Sequence, residues 1–379
     1  MPFSAKVGFF ASGGAPTPEG DYDWPGYMSS TQFTNEVDGD FTNVGAATFS
    51  QVSASSMGYR YGVLADNGNV YMMPRTVSNF LEFEPSSNTV NQISVSGVGS
   101  NEYTGGALAS NGNIYCCAFS TSATILEFNP ADGSSSEVTP TGDYSNYNIG
   151  GVTLPSGKVM FMPRSTGGWF TIYDPTTNTA SKAGAGTTIK ELGEDFEYVG
   201  GVSSTNGKSY FMPFNGQEVS YYDETADSWT DIDVSADVSN NSGAFQGGAM
   251  MTDGRIVGVP YNYNELFVFD PSDDSFYSDA YGMSLSGTNK FIGGGLAPNG
   301  NVYFANFNAS NVIEFDTQAN VSVLRAPGGL RTSCIGVVPT GDDRLVYVPI
   351  SGSNFTQVVT GKTPTYPEAL KSPQLNRGG

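Results

Sequence analysis

Four carboxylates, Glu191, Glu194, Asp195 and Glu197, crowd one short stretch ahead of Gly200. A pair of carboxylates can split a glycosidic bond, one as acid and the other as base or nucleophile, when their separation in space suits it. Spacing along a chain does not set that separation, and a solvated acidic loop has the same composition. Trp169, Tyr261 and Tyr263 follow apolar strands and offer flat faces that can stack on sugar rings. Acidic or amide residues before turns, among them Glu84, Asn129, Asp174 and Asp270, carry oxygens of the kind calcium takes. They come one per repeat, without a dense ligand loop, and read as turn residues that accept local backbone N–H groups. No metal site and no cofactor is expected.

Absent residue types narrow the chemistry further. The chain has no histidine, which removes Ser-His-Asp and Cys-His nucleophiles, imidazole-held zinc or copper, and acid–base work by imidazole. Of the three cysteines, Cys116 and Cys117 are adjacent on a strand and point to opposite faces, and Cys334 lies far away in sequence. The expectation is three reduced, mostly buried thiols. Sixteen basic residues against 37 acidic ones give a formal charge of −21. Such a field repels phosphate backbones and anionic lipid, so neither nucleic acid nor membrane is an expected partner. An acidic surface also keeps a protein soluble.

The elements that must position these groups repeat. Gly62, Gly106, Gly151, Gly201, Gly248, Gly294 and Gly336 each precede a turn and then an apolar run, which ends at Pro74, Ala118, Pro163, Pro213, Pro260, Asn306 and Pro349. The distance from glycine to end is twelve residues in six units and thirteen in the last, and the ends recur every 43 to 50 residues. Dipeptides such as Asn67-Gly68 and Asn111-Gly112 predict two-residue primed hairpin turns. These features predict an all-β, seven-bladed β-propeller of four-stranded antiparallel blades. The glycine strands line the axis, and the continuously apolar second strands are covered on both faces by neighbouring blades. Unit seven has no outer strand of its own. Residues 46–52 supply one, so an N-terminal strand closes the ring.

Three regions follow: an arm over 1–40, the propeller over 41–362, and a Pro-rich tail over 363–379. The arm carries Phe3, Phe9, Phe10, Tyr22, Trp24 and Tyr27 among Gly, Pro and Asp, and aromatics on an irregular arm serve as anchors to a surface, a partner's or the propeller's own. The apolar patch near the N-terminus is too short for a signal-peptide core, and no stretch approaches membrane-spanning length. Synthesis in a reducing cytoplasm, and retention or assembly there, is the expectation.

The repeat is written most fully in 151–163, GVTLPSGKVMFMP, with a Tyr-Asp-Pro turn following. It resembles the kelch-like propeller repeats of structural proteins in tailed bacteriophages, particularly those of marine hosts, over about four-fifths of the chain. The resemblance implies a non-enzymatic virion component, a docking, decoration or receptor-facing propeller of head or tail. Its partners would be other virion proteins and a host-surface glycan or receptor. Departures are plain: Trp24, Trp169 and Trp229 share no column, and the histidine and Trp-Asp pair of WD-type repeats are missing. Galactose-oxidase relatives of kelch proteins hold copper with histidine among the ligands, so that activity does not carry over. Two other readings compete: a glycan-binding module outside any virion, using Trp169, Tyr261 and Tyr263, and a carboxylate-based glycosidase or lyase.

Overall fold

The computed structural model describes residues 48–360, apart from 54–57, 97, 99–101, 121–123, 146, 194, 205, 239–241, 282, 298, 318–320, 326–332, 341, 343 and 351–353. The arm aromatics Phe3, Phe9, Phe10, Tyr22, Trp24 and Tyr27, and the tail over 363–379, lie outside the described residues. The described chain is all strand and turn, in seven sheets. No described helix is long and apolar enough to cross a membrane. Blade one shows the plan: Tyr59–Leu64, Val70–Pro74, Asn79–Glu84 and Thr89–Ser94 pair in that order, all antiparallel. Each innermost strand packs against those of both neighbouring blades, and Cys334–Pro339 of blade seven returns to Tyr59–Leu64 of blade one. The ring is therefore closed. Blade three alone gains a two-residue strand, Thr141–Gly142, parallel to Thr179–Lys182.

Closure depends on the early chain, as the sequence predicts. Thr48–Ser53 pairs antiparallel with Asn354–Val359, and all six residues are in register, from Thr48 opposite Val359 to Ser53 opposite Asn354. Without it the third strand of blade seven would expose a free edge.

Second strands are buried along their whole length in five blades, as in Val70–Pro74 and Val159–Pro163, and in the other two only the first residue, Lys208 or Arg344, is partly exposed. Alternate side chains serve different inter-blade layers, so neighbours in sequence enter different cores: Cys116 packs with blade one and Cys117 toward blade three. All three cysteines are buried free thiols, and burial raises the pKa of Cys117 to about 12.

Two local predictions need correcting. The hairpins are not two-residue primed turns: Ala65 N donates to Asn69 O and Gly68 N to Ala65 O, both at 2.9 Å. Only Gly68 of the loop has positive φ, at +83°, which describes a three-residue loop ending in a left-handed glycine. Asn67 is present for its side chain, whose Nδ2 donates to Tyr71 Oη at 2.8 Å. The second correction is a shift of one column in blade seven. Every innermost strand bulges, and Gly106 lies opposite Cys116 just as Val337 lies opposite Tyr347. Val337, not Gly336, is thus the counterpart of the repeat glycine, and this explains the thirteen-residue spacing. Gly336 occupies the preceding bulge column, with φ +118°. In blade one that column holds Tyr61, a non-glycine residue at φ +57°.

Candidate functional site

Innermost strands begin, and second strands end, on the same face of the ring; the Asn-Gly hairpins lie on the other. One residue follows each second strand on that first face: Arg75, Phe119, Arg164, Phe214, Tyr261, Phe307 and Ile350. All seven are half-buried. Each backbone N–H donates to the carbonyl of the residue preceding its own blade's innermost strand, for example Phe119 to Glu102 at 2.7 Å and Arg164 to Tyr147 at 3.0 Å. The backbone therefore holds a ring of side chains around the mouth of the axis.

Arginines dominate one arc of the ring. Phe119 lies between two guanidinium groups, with Arg75 Cζ 3.8 Å and Arg164 Cζ 4.5 Å from its ring centroid. Arg164 also stands 4.7 Å from the Tyr147 ring and 5.1 Å from that of Phe196. Each such contact contributes about 0.5–2 kcal/mol, more where water is excluded. Arg60, from the innermost strand of blade one, joins them. Burial, then the charges of Arg60 and Arg164, bring Arg75 down to about 10, with Cys117 opposing the shift.

Among the described residues these cations have no carboxylate within ion-pair distance. Elsewhere Lys158, Lys190, Arg255 and Arg344 reach carboxylates within 4 Å, whereas Arg60, Arg75 and Arg164 form no ion pair among the described residues. Asp195 feels Arg164, yet its Oδ1 accepts Thr166 N at 2.7 Å and Thr166 Oγ1 at 3.0 Å. Arg60 Nε and Arg75 Nη1 are buried with no hydrogen-bond partner among the described residues. So is the hydroxyl of Tyr61, a residue only 4% exposed. Arg60 Cζ stands 5.9 Å from the Tyr61 ring, and both residues influence Tyr261, whose hydroxyl pKa is raised chiefly by burial. A buried donor without an acceptor normally costs about 1–3 kcal/mol. Arg60, Tyr61 and Arg75 all belong to blade one, and the charges of Arg60 and Arg164 repel that of Arg75.

Of the aromatics singled out in the sequence, Tyr261 belongs to this ring and stacks on Phe214, centroids 5.3 Å apart. Trp169 has Lys182 Nζ 3.9 Å over its ring and bridges through its backbone to Glu191. Tyr263 gives its hydroxyl to Asp237 O at 2.6 Å and packs on Phe245. The carboxylate cluster holds its loop together: besides Asp195, Glu197 accepts Gly193 N at 2.7 Å and lies 3.9 Å from Lys190. Glu194 lies outside the described residues. Asp174 and Asp270 accept the N–H groups of Thr176 and Ser272 at 2.9 Å, as turn residues do. Arg60, Arg75 and Arg164 escape a reading by motif because no two are neighbours in sequence. Aligning the residue after each second strand places Arg75, Phe119, Arg164 and Tyr261 in one column, and that is the signal that finds them.

No protein-family model matches the chain, and no curated protein matches it by sequence. Solved structures share its fold. A streptogramin B lyase superposes with a TM-score of 0.66 at 11% identity, covering 82% of this chain and 97% of its own. YCF48 bound to D1 peptide gives 0.62 at 10% identity, covering 86% and 98%. A fungal alcohol oxidase of the AA5 family, in complex with copper, gives 0.62 at 13% identity, covering 86% and 79%. The chain is a seven-bladed β-propeller whose structural neighbours include enzymes and a peptide-bound protein.

Proposed function

We propose that this chain is a non-enzymatic docking propeller of a phage particle, which holds a neighbouring virion protein against the face bearing Arg75, Phe119 and Arg164. The observation that carries the docking role is the arginine–phenylalanine–arginine stack, with no carboxylate paired to it among the described residues. A partner that supplies a negative charge relieves the repulsion. Arginine and aromatic side chains are also the residues that dominate binding energy in protein interfaces. The peptide-bound neighbour is a precedent for this fold holding a polypeptide. Against catalysis stands the absence of histidine: virginiamycin B lyase, with the same fold at 10% identity, is catalytically inactive when one histidine is replaced by alanine. The phage setting rests on the repeat's resemblance to virion propellers. Stacking on glycan is less favoured, because Lys182 covers Trp169 and Tyr263 is bonded to its own scaffold.

Retention in purified particles tests the reading. An Arg164→Ala, Phe119→Ala double variant should fold and yet be lost from the particle. Retention at the wild-type level contradicts the docking face, and clean release of reducing ends or unsaturated products from a polysaccharide contradicts the non-enzymatic assignment.

A further inference from the structure

Resting on the docking reading, we infer that Arg60, Arg75 and Arg164 form a receptor for a single carboxylate, an Asp or Glu side chain presented by the partner protein beside an aromatic or aliphatic residue. Donor inventory is the first support. Arg60, Arg75 and Arg164 are half-buried and reach no carboxylate within 4 Å among the described residues, which leaves their guanidinium groups to take a carboxylate whose two oxygens offer about four acceptor sites. Guanidinium forks match that planar pair of oxygens, and the bonds are charge-assisted.

Charge supplies the second. The chain as a whole carries −21, so a polyanion meets long-range repulsion that grows with its charge. One carboxylate suffers least from that field and still neutralises the local positive cluster. A neutral ligand would leave the guanidinium groups uncompensated. The surroundings supply the third. Phe119, Tyr147, Phe196 and Tyr261 frame the arginines, which suits a carboxylate flanked by apolar side chain and keeps water from competing for it.

The test uses the full chain and a synthetic peptide, acetyl-Gly-Glu-Phe-Gly-amide, with its Glu-to-Gln counterpart, inorganic phosphate and glucuronate as separate arms. Arginine Nε–H resonances are followed by NMR. The Glu peptide should give saturable shifts at Arg60 and Arg75, with the Gln peptide roughly tenfold weaker. Arg75→Met, or Arg60→Gln as a second variant, should abolish the response. Arg255→Met should not, since Arg255 pairs with Asp253 on the opposite face. Equal responses to the Glu and Gln peptides, no response at either arginine, or tighter saturation by phosphate or glucuronate than by the Glu peptide would overturn the inference. Particle retention of Arg75→Met separates the two claims. Lost retention with no Glu-peptide binding removes the carboxylate receptor and leaves docking standing. Glu-peptide binding with normal retention supports the receptor and removes the particle role.

Discussion

The Tyr61 ring fills the axial space beside Gly105: a Cβ on Gly105 would stand 2.9 Å from Tyr61 Cδ2. The same ring lies 3.6 Å from where a Cβ on Gly336 would be. One blade thus supplies an aromatic to a column that the other six fill with glycine, and Tyr61 accepts a left-handed backbone, φ +57°, to do so. Its hydroxyl has no partner among the described residues, and the Arg60 guanidinium stands 5.9 Å from its ring, which ties the packing of the axis to the arginines of the face.

Gly105→Ala should destabilise the fold by roughly 1–3 kcal/mol, combining a left-handed alanine with overpacking against Tyr61. Denaturant titration reads it. The same change in a Tyr61→Gly background should cost less, a coupling that a double-mutant cycle isolates; equal costs in both backgrounds would show that the two residues do not meet.

Glu82 accepts Tyr71 Oη at 2.7 Å and Asn69 Nδ2 at 2.8 Å, and Asn67 donates to the same hydroxyl. The pattern recurs at Tyr115 with Glu127 and at Tyr303 with Glu314. Glu82→Ala should lose about 1–3 kcal/mol, since it removes the shared acceptor of Tyr71, Asn69 and Asn91 and leaves the tyrosine only the longer bond to Pro130 O, 3.2 Å. Glu84→Ala, at a solvent-facing turn, should stay within about 0.5 kcal/mol of wild type. Thermal melts of the two variants compare them, and similar losses would contradict the clasp.

Much of this architecture is legible in the sequence because glycine, hairpin and apolar run recur at fixed distances. Legibility fails where one residue type serves two columns. Gly336 satisfies the bulge column as well as the column after it, so composition cannot reveal that Val337 is the true counterpart of Gly294. Asn67 suits a primed turn by propensity, yet its side chain clasps Tyr71 across the sheet. Arg60 lies on one of two paired strands of blade one and Arg75 directly follows the other, while Phe119 belongs to blade two and Arg164 to blade three, so the hairpin of blade one and the stacking of three successive blades bring the arginines together. Tyr261 can be singled out as a loop aromatic, but that the charge of Arg60 reaches it from another blade is a property of the circle.

Removing residues 1–53 should expose the edge of Asn354–Val359 and cost about 3 kcal/mol or more, taking six ladder pairs at ~0.5 kcal/mol or above each. It should also promote association through that edge. A cut after residue 45 spares Thr48–Ser53 and should leave the melting temperature nearly unchanged. Equal stability of the two truncations contradicts closure by the early strand.

Lys290, 3% exposed, donates to Asn264 Oδ1 and Gly287 O, both neutral, and burial lowers its pKa from 10.5 to about 8. Between those values the unfolded chain holds more protons than the folded one, so this residue's contribution to stability rises with pH across the window. Measured from pH 7 to pH 10.5, wild type should gain stability relative to Lys290→Met. Parallel curves would mean that the amine is solvated in the folded state.

The docking face is tested most directly by an electron cryo-microscopy map of the particle that carries the protein. The propeller should be seated with Arg75, Phe119 and Arg164 against a neighbouring chain, and an Asp or Glu side chain of that chain between the guanidinium groups. A map in which this face meets only solvent in every copy, or a particle without the propeller, contradicts it.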